Sequence, residues 1–332
     1  MVKLPLRRPS RRQLLRAGLA VLVTLGLLTW WLVPGGKQEP RGSVDLATGV
    51  STGVYARYGN LLKEYLAEEL PKVDVTVHST EGSVQNIQKV VSGGADFTIA
   101  AADAVNAYQT SHPAEASRLR ACARLYDDYM QLIVPQGSSI RSTRDLRGRR
   151  IGMGQPRSGV SLIAERLLKA AGLSVARDIT PVRAGIDQMP DMLRRGQIDA
   201  FFWSGGMPTG AIEKLARRER ISLVPLGNLL PALQRQGRSA DQYRSAMIPN
   251  DAYPHIEQDK PVETVAVANL LITTDRADAA LTEGLTRTVI NNRDHIGRQV
   301  HAAQLVDLRT AIYTDPLRLH AGAARYYRSV KS

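Results

Sequence analysis

Only one cysteine, Cys122, occurs in the 332 residues, so the chain can close no internal disulfide and cannot build a cysteine-cluster zinc site. Its apolar surroundings predict a buried small side chain rather than a reactive thiol. Phosphate and metal signatures are equally scarce. There is no G-x-x-x-x-G-K-[ST] and no H-E-x-x-H, and "GMGQPRSG" (152–159) does not complete G-x-G-x-x-G. Aromatic residues make up 5% of the chain with no RNP-like grouping, and no low-complexity tract or solenoid repeat is visible. No metal, cofactor or nucleic acid is therefore expected, and the fold has to be held by its apolar core.

Charge points the same way. The formal net charge is +13, but the segment before Val44 carries eight basic residues and one acidic one, leaving about +6 for everything after it. That excess suits a solvated surface better than a nucleic-acid face.

Long apolar runs are missing apart from one, Ala17 to Val33, preceded by Arg7, Arg8, Arg11, Arg12 and Arg16 and ended by Pro34-Gly35-Gly36. "SRRQLLR" (10–16) is similar to a twin-arginine export signal. Seventeen residues is short for a bilayer span and slightly long for a cleaved signal core, and no clean A-x-A site follows. Residues 1–43 read as an export segment, either an uncleaved membrane anchor or a removed signal. Both place the remainder outside the cytoplasm.

That remainder alternates short β-like runs with amphipathic stretches, an α/β pattern. "VDVTVH" (73–78) and "FTIAA" (97–101) read as strands around a helix over 83–92, with Val84, Ile87, Val90 and Val91 inward. "LRGRRIGMG" reads as a strand entering a glycine loop, and 160–173 as the helix leaving it, stopped at Gly172. "ETVAVANLLITT" (263–274) is β-rich and 280–296 helical. An internal echo links "VVSGGADFTIAAAD" (90–103) with "MLRRGQIDAFFWSG" (192–205), with Asp96 and Asp199 at the strand starts making local turn hydrogen bonds. A boundary is expected over 135–148. The C-terminal helices fit either a second domain or a return to the first. Asp127-Asp128, beside Tyr126 and Tyr129, reads as a solvated turn rather than a metal or substrate pair.

Glycine-rich loops recur at strand-to-helix junctions: "TGVSTGVY" (48–55), "STEGSVQN" (79–86), "GQPRSGVS" (154–161) and "WSGGMPTG" (203–210). Such junctions expose unpaired backbone N–H groups at the positive end of a helix and favour a carboxylate or phosphate. Gly49-Val50-Ser51-Thr52-Gly53 also fits G-x-S-x-G, the elbow of a serine nucleophile. A hydrolase, though, needs sheet and oxyanion-loop sequence before its elbow, and here only the leader precedes it. Ser51 is expected to be a hydrogen-bonding loop serine, with a secreted serine hydrolase as a distant alternative.

At these loops the chain resembles the TAXI family of solute-binding proteins, extracytoplasmic receptors of a class of TRAP transporters. The resemblance runs from about Val44 to about Tyr313. It is carried by Thr48-Gly49, Gly53-Val54-Tyr55, Thr80, Gly82-Ser83, Asn86, Ala95-Asp96, Asp145-Leu146-Arg147-Gly148, Ser158-Gly159 and Asp199-Ala200-Phe201-Phe202. Gly206, Pro208, Ile248-Pro249, Tyr253-Pro254 and Thr264-Val265-Ala266-Val267 complete it. What it implies is a two-lobed fold like that of type II periplasmic binding proteins, each lobe a mixed sheet flanked by helices, closing on a solute without enzymatic activity. It places lobe 1 at 44–135 plus 251–332 and lobe 2 at 136–250. The loops at Thr48 to Tyr55, Ser83 to Asn86, Ser158 to Val160 and Trp203 to Pro208 would face the cleft, with Ser51, Tyr55, Ser83 and Asn86 touching a glutamate- or glutamine-like ligand from one lobe. Ser158 and the Gly205-Gly206 backbone would touch it from the other. Partners implied are a small solute and a TRAP-type permease, for a monomeric receptor. A membrane anchor would also suit a sensor reporting to a kinase.

Two motifs depart from the family. Arg157-Ser158-Gly159-Val160 stands where G-S-G-T is common, and Thr80-Glu81-Gly82-Ser83 where T-G-G-S is common. Pointing inward, Arg157 would pair bidentately with a ligand carboxylate; pointing outward, it is a solvated surface cation.

Overall fold

The alternation of strand and helix seen in the sequence is carried through in three dimensions by a computed structural model, which describes residues 22–24, 40–256, 258 and 260–331. The expected export segment over 1–43, with its apolar run at 17–33, lies outside the described residues except for 22–24 and 40–43. Among the described residues no helix is long and apolar enough to cross a membrane.

Residues from Pro40 onward form one compact unit. Its first half runs β1 (Gly42–Ala47), α1 (Val54–Glu69), β2 (Val73–His78), α2 (Ser83–Ser92), β3 (Phe97–Ala101), α3 (Ala102–Ser111) and the long strand β4 (Leu119–Pro135). The second continues with β5 (Arg150–Gly152), α4 (Gly159–Ala170), β6 (Thr180–Val182), β7 (Ala200–Gly205), α5 (Gly210–Ala216), β8 (Ile221–Val224) and β9 (Arg244–Ile248). The long strand β10 (Val262–Thr274) and the helices α6 (Ala279–Asn291) and α7 (Ala321–Val330) close the chain.

Sheet order is β2-β1-β3-β10-β4-β7-β5-β6, with β8 on β4 and β9 on β10. Read outward from the centre, β10-β3-β1-β2 and β4-β7-β5-β6 are the same arrangement twice: an antiparallel central strand, then parallel strands. The internal echo in the sequence is this repeat. Asp96 accepts from the backbone N–H of Asp45 on β1 at 2.8 Å, and Asp199 from that of Arg150 on β5 at 2.8 Å. Each aspartate therefore ties the start of its strand to the neighbouring strand. The expected local turn bond is a cross-strand bond instead.

Burial explains the helices. In α1, Ala56, Tyr58, Leu61, Leu62 and Leu66 are buried at helical spacing, each large apolar side chain contributing about 1.5–3 kcal/mol. In α2 it is Ile87 and Val90 that are buried, with Val84 and Val91 half-buried at the edge of the same core. Helix α4 begins at Gly159 and gives way at Gly172, whose φ of +77° suits the left-handed stop and whose N–H donates to the Lys169 carbonyl. The stretch over 280–296 is broken: α6 ends at Asn291, and a separate short turn follows at Arg293–Gly297.

The C-terminal helices return to the first half. Leu285, Val289, Tyr326 and Tyr327 share a core with Val44, Leu46, Leu62 and Phe97, and Thr288 donates to Glu69 at 2.9 Å. Cys122 lies in that core, fully buried as expected, and burial pushes its thiol pKa up.

One expectation is corrected here. Asp127-Asp128 is no solvated turn: both residues lie inside β4, paired across to β10, with Asp127 9% and Asp128 4% exposed. The polar run "LYDDYMQ" is tolerated in a central strand because both carboxylates have partners. Asp127 holds Arg124 at 2.7 Å and also Arg244, and Asp128 holds Asn269.

Candidate functional site

The starts of α1, α2, α3 and α4 converge on one partly open cavity of about 60 Å³ between the two halves of the sheet. The start of α1 brings Gly53, Val54 and Tyr55 to its wall, that of α2 brings Gly82 and Ser83, and that of α4 brings Ser158 and Gly159. The first backbone N–H groups of a helix have no intrahelical partner, and the helix dipole adds partial positive charge there. Such a wall accepts an anionic group. At roughly 10–15 Å³ per water-sized probe, the cavity holds a handful of heavy atoms.

Loops from opposite halves touch at this point. A Cβ on Gly82 would lie 3.4 Å from the Ser158 Cα, and one on Gly159 would lie 3.0 Å from the Ser83 Oγ. Gly82, with φ of +125°, adopts a backbone that L side chains rarely take. The Gln85 N–H donates to the Arg157 carbonyl at 3.1 Å, so the two loops are joined by backbone as well as by contact. The two halves are in contact here.

A polar chain runs along the cavity wall. The Tyr55 hydroxyl donates to Asn269 Oδ1 and lies 3.2 Å from the Ser83 Oγ, which also accepts from the Ala101 N–H at 3.1 Å. Asn269, fully buried on β10, donates from Nδ2 to Asp128 Oδ1 at 2.7 Å. Burial raises the Asp128 pKa to about 7; the Asn269 and Ser204 hydrogen bonds pull it down and the charge of Asp103 pushes it up. Burial likewise holds the Tyr55 hydroxyl protonated, its pKa well above the usual value.

Asp103, in the first turn of α3, is 1% exposed and also lines the cavity. Its Oδ2 accepts from the Tyr243 hydroxyl at 2.6 Å and lies 3.7 Å from Arg166, while its Oδ1 has no hydrogen-bond partner of good geometry. Burial raises its pKa against the lowering influence of Arg166, Tyr243 and nearby backbone N–H groups.

Of the residues singled out from sequence, Tyr55, Ser83, Ser158, Gly159, Trp203 and Gly205 line the cavity. Ser158 is less free than expected, because its hydroxyl donates to the Gln155 carbonyl at 2.7 Å and accepts from the Ser161 N–H at 3.0 Å as a helix cap. Trp203 spends its N–H on Thr209 at 2.9 Å and offers the cavity its ring.

Thr48 and Asn86 lie one layer back. Thr48 donates to the His78 carbonyl at 3.0 Å, and Asn86 donates to the carbonyls of Thr48 and, at 2.8 Å, Ile99, bracing the loops that form the wall. Ser51 is exposed and, like Gly206, belongs to a wider open recess of about 880 Å³ beside the cavity. Arg157 points outward, half-exposed, onto Glu81.

Sequence reasoning missed Asp103, Asp128, Ser204 and Asn269. Asp128 carried a signal, two adjacent aspartates inside an otherwise strand-like run.

Comparison with solved structures gives the fold. A protein from Bordetella bronchiseptica RB50 matches 85% of this chain over 84% of its own, at 20% identity and a TM-score of 0.50. A Listeria monocytogenes chain described as an L-cystine ABC transporter matches 80% over 98%, at 13% identity and a TM-score of 0.50. The periplasmic aliphatic sulphonate binding protein SsuA of Escherichia coli matches 87% over 83%, at 12% identity and a TM-score of 0.47. The architecture is the two-lobed α/β fold of type II periplasmic binding proteins, as the sequence motifs implied. The NMT1-like family matches residues 46–330, and the chain belongs to that family.

Proposed function

For this member of the NMT1-like family, we propose the role of an extracytoplasmic solute-binding protein that captures a small, carboxylate-bearing solute in its cleft and presents it to a membrane transporter. The observation that carries this reading is the cavity between the two halves, with the starts of α1, α2 and α4 among those facing into it. The solute carboxylate would sit at the starts of α2 and α4, against Ser83 and the Gly159 backbone, with Tyr55 and Trp203 as further walls. Asn86 and Thr48 would hold the loops in place. Residues 44–135 with 251–332 would move as one lobe and 136–250 as the other, β4 and β10 bending between them. L-cystine transport, in the name of the Listeria monocytogenes relative, is in keeping with an amino-acid-like solute.

The transporter class proposed is TRAP-type, on the strength of the TAXI-like motifs, with an ABC-type permease as the other outcome of a co-purification from membranes. The binding reading is tested on the full chain, unfolded and refolded to strip carried-over solute. Its thermal midpoint is then followed against amino acids, dicarboxylates and other small acids. Native-state binding raises the midpoint with dose. A folded protein that responds to no member of the panel overturns the reading.

A further inference from the structure

The charges around the cavity are one-sided. Among the described residues three acidic ones, Glu81, Asp103 and Asp128, line it, and no lysine, arginine or histidine does. Glu81 is neutralised at the rim by Arg157. Asp103 has Arg166 at 3.7 Å on one oxygen only. Asp128 has hydrogen bonds from neutral groups but no cation. A buried carboxylate without a counter-charge is costly, and the Asp103 Oδ1, buried without a partner, adds to that cost.

We infer that Asp103 and Asp128 form a cation subsite in the cavity, so that the solute carries a protonated amino group in addition to its carboxylate. This deepens the solute-binding reading and rests on it. The ammonium would donate to Asp128 and to the unpaired, buried oxygen of Asp103, while the carboxylate lies at the helix starts, leaving a zwitterion with its two charges matched. A second carboxylate on the solute has no cation to meet in this cavity. The subsite therefore favours an amino acid with a neutral side chain over glutamate and over simple dicarboxylates.

The test uses matched probes on the stripped full-length protein at pH 8: L-alanine against L-lactate, and L-glutamine against L-glutamate and succinate. Isothermal titration is repeated with Asp103→Asn and Asp128→Asn, whose amides keep the shape and the acceptor for Tyr243 or Asn269, and circular dichroism verifies that they are folded. The expected result is binding of at least one amino acid, about tenfold or more weaker binding of its hydroxy or dicarboxylate counterpart, and a loss of about tenfold or more in either folded variant. Acids that bind as well as amino acids, or variants with unchanged affinity, overturn the cation subsite and leave the solute-binding reading standing. Binding by no probe of either kind removes both.

Discussion

Glu81 and Arg157, 76 residues apart, meet across the mouth of the cleft: the guanidinium donates to Glu81 Oε1 from Nε at 3.0 Å and from Nη2 at 2.5 Å, and the Arg157 N–H donates to Oε2 at 3.0 Å. The Arg157 hydrogen bonds and charge hold the Glu81 carboxyl below its ordinary pKa. Both residues stand at positions where the chain departs from the motifs it otherwise resembles, as Val160 also does, and the two answer each other. Arg157 is therefore not free in solvent, since its guanidinium is held by Glu81.

A contact present only when the cleft is closed stabilises the closed form by its own free energy. The pair is partly exposed, so its effect is modest and screened by salt. Arg157→Ala and Glu81→Gln should each speed solute release and weaken affinity roughly two- to five-fold at low ionic strength, with the double variant no worse than either single one. Stopped-flow release rates at 20 mM and 500 mM salt check this. Rates that match the parent protein at low salt would show that the pair does not latch the cleft.

Gly159 is the second point where the halves touch. A valine there would push against Ser83, whose Oγ is already 3.0 Å from the position of a Cβ, and would prop the loops apart. Gly159→Val should lower solute affinity about tenfold, because the added side chain penalises the contact between the halves. Small-angle scattering with saturating solute should show the variant staying more extended than the parent.

Much of the frame was legible because it repeats. The strands at 73–78 and 97–101 and the helix at 83–92 follow from periodicity, and the matching places of Asp96 and Asp199 from the internal echo, though their bonds run across strands rather than within turns. The glycine loops were also legible, since a close approach such as Gly82 to Ser158 needs glycine. The floor of the site was not. Asp103 opens a helix and Asp128 sits in mid-strand, 25 residues apart, and only the pairing of β4 with β10 brings Asn269 against Asp128. Long-range register of that kind leaves no local trace, so an aspartate pair at Asp127-Asp128 looks like surface until its neighbours are known.

Ser51 separates the nucleophile pattern from its geometry. The residue is exposed, lies outside the cavity wall, and shares its recess with Arg57, Asp187 and His301 among others. Ser51→Ala should leave solute affinity within about two-fold of the parent, since no contact in the cavity is lost. Its effect on ester hydrolysis should be nil. Titration of solute into the variant and a p-nitrophenyl acetate assay decide the two points, and a loss of either activity would return Ser51 to the site.

Asp128 sets stability against binding. Its pKa is raised by burial from an ordinary 3.8 to about 7, so between those values the folded chain holds a proton that the unfolded chain releases. Folding stability therefore falls as pH rises from about 4 to about 7, by up to about 4 kcal/mol, and stays low above that. Asp103, raised in the same direction, adds to the slope. Asp128→Asn keeps an acceptor for Asn269 and removes the charge, so in urea titrations of ligand-free protein it should gain on the parent by about 2–4 kcal/mol more at pH 8 than at pH 4. An equal difference at both values would mean that Asp128 does not titrate there. Solute binding should run the other way in the parent: the ionised carboxylate holds an ammonium, so affinity for an amino acid rises from pH 6 to pH 8. The charge that weakens the empty protein is the one that its solute neutralises, and the same substitution that stabilises the fold should empty the cleft.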